Sequence, residues 1–487
     1  MSYLVHSDDD RHHLLEAVGV EHIDDLFSPI PEVLRRVGLN LAPGLSEAET
    51  RIRLEGLAAT NRPLGPYSFL GAGCYQHFVP AAVRALTSRG EFVTAYTPYQ
   101  PEASQGTLQS IFEFQTCICE LTGLEVANAS LYDGPSALAE AAFMGLRLTQ
   151  RQEILVSGGV FPEAAQVVET YAAGPGIPVR RLSLDPVSGA TDTTGSEVSP
   201  QVGVVLVQQP NCLGVVEDLR ALADAAHAAG TLLVVSTDPS TLGILEAPGR
   251  LGADIVVGDA QVFGNAPSFG GPSVGFLACA ADHVRQIPGR LVGQTIDLDG
   301  RVCYTLTLQA REQHIRRAKA TSNICSNEAL NALAATIHLA LLGPQGLRER
   351  GEICLRRAHH LHDALCALPG VRSFVTGPFF SEFALALPCT ADAFAQAMRA
   401  RGIDPGVPLL RIERGTRPLF EPGATGARAA AGTEVAGGAQ GAGAAPTADG
   451  ILVAVTEVNP PEALEAYLAA ARDVLALPAG PAGEGLR

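Results

Sequence analysis

The chain has 487 residues, 47% of them hydrophobic and 17% charged, and a formal net charge of −17 at pH 7. This length allows two or three domains with large cores, and the acidic balance argues against nucleic acid or an anionic membrane as the main partner. The sequence has no apolar run long enough to cross a bilayer and no signal-peptide pattern, so we expect a cytoplasmic, enzyme-like protein.

The ten cysteines form no CxxC pair, and the twelve histidines show no ligand spacing. In a protein without signs of export, scattered cysteines are typically reduced thiols that fill the core. We therefore expect neither disulfides nor a metal site.

Residues 1–75 are predicted to be a helical N-terminal segment. One helix should begin at Ser46, whose hydroxyl can cap it, with acidic residues Glu47 and Glu49 in its first turn. The pattern then changes to short β-branched runs that alternate with amphipathic stretches. These runs predict strands at residues 154–156, 204–207, 232–235 and 255–257.

A helix over residues 217–229, ended by Gly230, separates the second and third of these strands. Strand, helix and strand at this spacing indicate a mostly parallel sheet covered on both faces. Residues 76–330 are thus predicted to form a large α/β domain, in which ligands bind at the carboxyl ends of the strands.

Residues 331–487 are predicted to form a smaller α+β C-terminal domain. It should contain a helix over 331–342 that ends at Gly343-Pro344, strands over 383–387 and 452–455, and a last helix over 461–475. Residues 422–449 are almost all Ala, Gly, Thr and Pro, a composition typical of a disordered surface insertion. We assign no function to this insertion.

Five segments together resemble the glycine cleavage system P-protein, the decarboxylating glycine dehydrogenase. They are YTPYQPEASQGTL at 96–108, FEFQT at 112–116, LYDG at 131–134, FGGP at 269–272 and REQHIRRAKATSNIC at 311–325. Specifically, the chain is similar to subunit 1 of the type in which the enzyme is split into two chains. The resemblance covers residues 1–420 and 450–475, and the insertion departs from the family pattern.

The resemblance implies an aspartate-aminotransferase-like fold, which is fold type I of the enzymes that use pyridoxal phosphate (PLP). It also implies a reaction in which glycine loses its carboxylate as CO2 while PLP acts as the electron sink. The aminomethyl group then passes to the lipoyl arm of the small H-protein.

PLP enzymes of this fold hold the cofactor on a lysine amine, and this chain contains one lysine, Lys319. In the catalytic relatives the lysine lies on the loop after the strand that is here 255–257, but residues 258–265 contain none. The relatives carry a second lysine at the position of Lys319, so we interpret Lys319 and the nearby Arg316 as structural cations. PLP is then expected on a homologous, lysine-bearing subunit 2.

Because PLP sites of this fold lie at dimer interfaces, the resemblance implies that this chain completes its partner's pocket. The interface candidates offer hydroxyl, amide and carboxylate groups: Tyr96, Tyr99, Gln100, Glu102 and Gln105 on one loop, then Thr321, Ser322 and Asn323. A buried structural loop and a helix cap are the plainer interpretations of these two segments.

A vestigial cofactor pocket is also predicted in this chain. Asp238, after a strand, would pair with the pyridine nitrogen, and Gly134 and Ser136 open a helix whose free N–H groups suit a phosphate. A turn residue and an ordinary capped helix are the alternatives. Two other functions stay open at this stage: a self-sufficient aminotransferase or desulfurase that uses Lys319, and a non-enzymatic scaffold.

Overall fold

The computed structural model describes residues 6–35, 40–63, 65–192, 198–268, 271, 273–309, 312–410 and 450–476. Its α-helices are α1 (Asp8–Val18), α2 (Glu32–Arg35), α3 (Glu47–Ala58), α4 (Ala81–Thr87), α5 (Gly90–Val93), α6 (Gln105–Thr122), α7 (Gly134–Thr149), α8 (Pro162–Ala173), α9 (Leu219–Ala228), α10 (Gln313–Arg316), α11 (Ala329–Cys366), α12 (Ala391–Arg399) and α13 (Pro461–Ala476). The insertion at 422–449, Arg311 and most of the segment at 269–272 lie outside the described residues.

The strands form three sheets. They are β1 (Val126–Ala127), β2 (Glu153–Ser157), β3 (Val179–Leu182), β4 (Val202–Gln209), β5 (Leu232–Thr237), β6 (Ile255–Asp259), β7 (Gly275–Cys279), β8 (Leu291–Ile296), β9 (Val302–Thr307), β10 (Arg372–Ser373), β11 (Glu382–Ala386), β12 (Val407–Pro408) and β13 (Gly450–Ala454). Each strand predicted from the sequence is present, within two residues of its expected limits. No helix in the described ranges is long and apolar enough to span a membrane.

The chain divides into two compact units, Met1–Pro63 and Leu64–Arg487. The first unit contains α1, α2 and α3. The cap expected at Ser46 forms: its hydroxyl accepts a hydrogen bond from the N–H of Glu49 at 3.3 Å, and the Glu49 carboxylate accepts one from the N–H of Ser46 at 2.8 Å. None of the residues in these three helices is buried within the chain.

The first unit ends at Pro63, whereas the helical segment was expected to reach residue 75. Residues just after Pro63 belong to the second unit because their backbone pairs with its C-terminal part. The N–H of Phe69 donates to the carbonyl of Asp404 at 2.8 Å, and the Asn459 side chain donates to the carbonyl of Ser68 at 2.9 Å. Further division of the second unit into a large and a small domain stays a prediction.

A seven-stranded sheet in the order β1-β7-β6-β5-β4-β2-β3 forms the centre of the second unit. The pairs from β6 to β3 are parallel, and β7 alone is reversed, since it pairs antiparallel with both β6 and β1. Every residue of β4 is buried, as expected for a strand covered on both faces. One apolar cluster around Phe114 and another around Leu138 lie on the two faces, so the predicted parallel sheet is confirmed.

A second, antiparallel sheet in the order β10-β11-β13-β12 carries the C-terminal part of the chain. Its core includes Phe383, Phe394 and Tyr467 and is closed by α11, α12 and α13. The predicted helix end at Gly343-Pro344 appears as a kink in α11, where Gly343 has φ 62° and ψ 177°. That backbone conformation is not helical, so α11 consists of two helical stretches that meet at Gly343.

Candidate functional site

The start of α7 is the place where a phosphate was expected, and the chain's own carboxylates occupy it. The N–H of Ser136 donates to Oδ1 of Asp133 at 2.7 Å, and the N–H of Gly134 donates to Oδ2 of Asp259 at 3.2 Å. A Cβ atom at Gly134 would lie 3.3 Å from the Cβ of Asp259, so a larger residue there would displace the Asp259 side chain by a few tenths of an ångström. The expected helix start is correct, with Asp133 as its cap.

Asp259 ends β6 and is held by three backbone donors. Besides Gly134, the N–H groups of Gln261 and Val274 each donate to its Oδ1 at 3.0 Å. Burial raises the pKa of Asp259, while these donors oppose the shift by stabilising the charged form. The carboxylate thus joins the carboxyl end of β6 to the start of α7.

A cavity of about 550 Å³ opens beside these two carboxylates. It is lined by Gly73, Tyr132, Asp133, Pro135, Ser136, Val167, Asp259, Ser273 and Glu328. Burial raises the pKa of Glu328, and the nearby charge of Asp133 adds to the shift. Three carboxyl groups therefore face this cavity, and none of the described residues that line it is a lysine or an arginine.

Asp238 does not line this cavity. Its two carboxylate oxygens accept hydrogen bonds from the N–H and the hydroxyl of Ser240, at 2.9 and 2.8 Å, and cap a short 3-10 helix. Nearby, the Tyr75 hydroxyl donates to Oε2 of Glu382 at 2.9 Å, and the N–H of Ala72 donates to Oε1 at 2.7 Å. The structure thus places Asp238 in a turn directly after β5, and its predicted role beside a pyridine nitrogen stays a prediction.

Glu382 is 4% exposed, and burial raises its pKa to about 7. The hydrogen bonds from Ala72 and Tyr75 oppose this shift, and the charge of Asp238 adds to it. A carboxyl group with a pKa near neutrality changes its charge in the physiological range.

The loop where catalytic relatives carry their lysine is closely packed here. Gln261 is 7% exposed, and its side chain donates to the carbonyl of Asn265 and contacts Sγ of Cys74 at 3.9 Å. Val262 and Phe263, which follow, belong to the core beneath the sheet. Lys319 lies in a separate 3-10 turn and is exposed.

The segment 321–325 lies next to the cavity. Ser322 hydrogen-bonds to Glu140 of α7, and Asn323 hydrogen-bonds to Tyr171 of α8. The hydroxyl oxygen of Tyr132, which lines the cavity, accepts a hydrogen bond from the N–H of Cys325 at 3.5 Å. The structure therefore brings Ser322 and Asn323 close to Gly134 and Ser136, with Thr321 half-buried beside them.

The loop from Tyr96 to Gln105 forms a separate group, and none of its candidate residues lines the cavity. Tyr96 is 88% exposed and Tyr99 is 51% exposed, and Gln100 and Glu102 are also exposed. Gln105 differs from them because its amide pairs with both backbone groups of Tyr304 in β9, each at 2.9 Å. That pairing ties the loop to the β8-β9 hairpin.

A buried polar cluster was missed by the sequence analysis. Nδ1 of His77 lies 2.7 Å from Oε2 of Glu457, and Sγ of Cys354 lies 3.5 Å from the same oxygen. Burial lowers the pKa of His338, next to this cluster, to about 4, and Arg350 and His77 add to the shift. These residues are far apart in sequence, so no motif spacing could have indicated them.

The donor set of His77, Cys354 and Glu457 is one that a metal ion could use, since their ligand atoms lie within 4.8 Å of one another. The short contact between His77 and Glu457 is instead that of a hydrogen bond. Arg350, which is 6% exposed, places a positive charge close to Glu457. The cluster is therefore a largely buried hydrogen-bonded network that lies next to a cation.

The fold and the placement of the cavity at the strand ends define a class of protein. A sphingosine-1-phosphate lyase from Burkholderia pseudomallei has a similar structure, with a TM-score of 0.62, 16% identity and coverage of 91% of this chain and 94% of that chain. At this identity the likeness shows the fold alone. The expected aspartate-aminotransferase-like fold, fold type I of the PLP enzymes, is confirmed.

Closer similarities define the family. The sequence profile of the glycine cleavage system P-protein matches residues 1–415. A relative from Desulforamulus reducens, named probable glycine dehydrogenase (decarboxylating) subunit 1, is 50% identical over 79% of this chain and 87% of its own length. A crystal structure of a glycine decarboxylase P-protein in inhibitor-bound form has a TM-score of 0.84 and 44% identity, and covers 98% of this chain and all of that one.

The chain therefore belongs to the glycine cleavage system P-protein family, and the resemblance identified from its sequence is confirmed. Its own residues do not fit PLP. The loop at 260–265 has no amine to bind the cofactor covalently, and carboxylates occupy the N–H groups at the start of α7 that would bind its phosphate. The roles predicted for individual residues stay predictions.

Proposed function

We propose that this chain is subunit 1 of a glycine dehydrogenase (decarboxylating) of the glycine cleavage system. In this proposal it assembles with a homologous, lysine-bearing subunit 2, acts on glycine, and delivers the aminomethyl group to the lipoyl arm of H-protein. Membership in the P-protein family and the subunit 1 relatives support the assignment. We also propose that the complex is cytoplasmic.

One observation carries the choice of a cofactor-free subunit. The loop after β6 contains no amine, and its residues Gln261, Val262 and Phe263 are all buried. Lys319, the one lysine of the chain, is exposed and lies outside the cavity lining. These positions speak against a self-sufficient enzyme that uses Lys319.

In the proposed complex, PLP bound to subunit 2 supplies the electron sink for decarboxylation. The residues of this chain would orient groups in its partner's pocket. Tyr99 and Glu102 present a hydroxyl and a carboxylate on an exposed loop, and Gln105 fixes that loop to β9 through two hydrogen bonds. A loop fixed at its base is suited to complete a site on another chain.

Co-expression with the homologous lysine-bearing chain tests the assignment. Release of CO2 from carboxyl-labelled glycine, in the presence of lipoyl H-protein and PLP, is expected only from the assembled pair. A matched control omits this chain and supplies subunit 2 alone. Full turnover by subunit 2 alone, or by this chain alone, would contradict the proposal.

A further inference from the structure

The first turn of α7 retains no N–H donor for an anion. Gly134 donates to Asp259, and Ser136 donates to the side chain of Asp133. Pro135, between them, has no N–H at all, and Ala137 donates to the backbone carbonyl of Asp133 at 3.0 Å. Of the first four residues of α7, three already donate their N–H to the chain's own oxygens and one has no N–H, so none is left to bind a phosphate.

The charges around the same cavity oppose an anion as well. Asp133, Asp259 and Glu328 all line it, and no basic residue of the described chain does. A carboxylate satisfies the positive end of the α7 dipole in the way a phosphate otherwise would. A phosphate placed there would face negative groups at short range without a compensating cation.

We propose that Asp133 and Asp259 exclude phosphate and phosphorylated cofactors from this cavity, independently of the missing lysine. The chain is thereby closed to PLP at two points: no amine can hold the aldehyde, and no amide can hold the phosphate. This inference concerns binding by the chain itself, so it stands or fails separately from the proposed decarboxylase function.

Binding of two probes, inorganic phosphate and PLP, to the full-length chain tests the proposal by calorimetry and equilibrium dialysis. The wild-type chain should show no saturable binding of phosphate at the α7 cavity. The double variant Asp133→Asn/Asp259→Asn should bind phosphate at least about tenfold more tightly, because it removes two like charges while it keeps side chains of the same shape. PLP should gain affinity in parallel.

Two further variants control for position and folding. Asp224→Asn, which changes an exposed carboxylate on α9 that does not line the cavity, should leave phosphate binding unchanged. Asp133→Ser retains a helix cap while it removes one charge. It should bind phosphate more tightly than the wild type, and it replaces the double variant if that variant does not fold.

Saturable phosphate binding by the wild-type chain at this cavity would overturn the proposal. So would folded charge variants that bind no more phosphate than the wild type. Variants that gain affinity for PLP but not for phosphate would place the contact at the ring or the aldehyde, which also contradicts it.

Discussion

The hydroxyl oxygen of Tyr99 accepts a hydrogen bond from Nη2 of Arg290 at 3.1 Å, so an exposed loop is anchored to a cation that is only 4% exposed. Nη1 of the same guanidinium donates to the Thr97 hydroxyl at 3.2 Å, and the group lies 5.4 Å from the centre of the Tyr99 ring. The loop tip is thus positioned from within the chain, while the Tyr99 side chain stays 51% exposed.

Tyr99→Phe is expected to lower glycine decarboxylation by the assembled complex about tenfold, the equivalent of one lost hydrogen bond to a charged group. Glu102→Gln should also lower turnover, since it removes the carboxylate that the loop presents. Steady-state rates with H-protein, together with gel filtration of the complex, separate a loss of activity from a loss of assembly.

The matched control for the two loop variants is Gln345→Ala, which changes an exposed residue on α11 and should leave the rate of glycine decarboxylation unchanged. If both loop variants turn over glycine at the wild-type rate, the loop does not contribute to the partner's site.

Glu457→Gln is expected to destabilise the chain by on the order of 3 kcal/mol at pH 7, because it breaks a buried pair. Burial alone would raise the pKa of Glu457, but its hydrogen bond from His77, with charges of His77 and Arg350, lowers it to about 2. The folded pKa therefore lies below the ordinary glutamate value of 4.5, so this stabilisation is complete above that value and is lost as the pH falls towards 2.

The measurement is the thermal midpoint of the wild type and the variant from pH 7 down to about pH 2.5, which covers most of the range over which the stabilisation is lost. The gap between them should narrow only at the acidic end. A gap that widens on acidification would show that the pair does not hold Glu457 in its charged form.

Glu382→Gln should show the opposite trend with pH. Burial raises the pKa of Glu382 to about 7, above the ordinary glutamate value of 4.5. Its contribution to stability is therefore complete below the unfolded value and is lost as the pH rises through 7. Gln cannot ionise, so the variant should gain stability relative to the wild type between about pH 5 and pH 8, by up to about 3 kcal/mol.

Denaturation midpoints at the two pH values test this expectation. The control is Glu349→Gln, which changes an exposed carboxylate on α11 and should give a difference that does not vary with pH. Equal pH dependence in the Glu382 variant and the wild type would mean that Glu382 ionises normally.

The central strands were predictable from sequence because each is buried on both faces and reads as a short β-branched run, as β4 does along its whole length. The caps at Ser46 and at the start of α7 were also predictable. In each case a side-chain oxygen accepts a hydrogen bond from the backbone N–H three residues later, which is a local signal in the sequence. The boundary at Pro63 was not, because it depends on the pairing of Phe69 with Asp404, far along the chain.

The candidate site shows the same contrast. Asp133 belongs to the segment LYDG, which carries part of the family resemblance, and Asp259 belongs to the loop that lacks the lysine. Their approach to each other at the start of α7 depends on tertiary structure. The sequence suggested an anion-binding helix start because it shows which residues open a helix but not which distant carboxylate occupies its amides. Likewise, nothing local links His77, Cys354 and Glu457.

Borohydride reduction of the assembled complex, followed by mass spectrometry of both chains, tests the central claim most directly. The account predicts pyridoxyl-lysine on the partner and an unmodified Lys319 in this chain. It also predicts that the complex with Lys319→Arg, which keeps the charge but not the amine, retains PLP and appreciable glycine decarboxylation. Pyridoxyl-Lys319 in the wild-type chain, with loss of both PLP and activity in the variant, would contradict it.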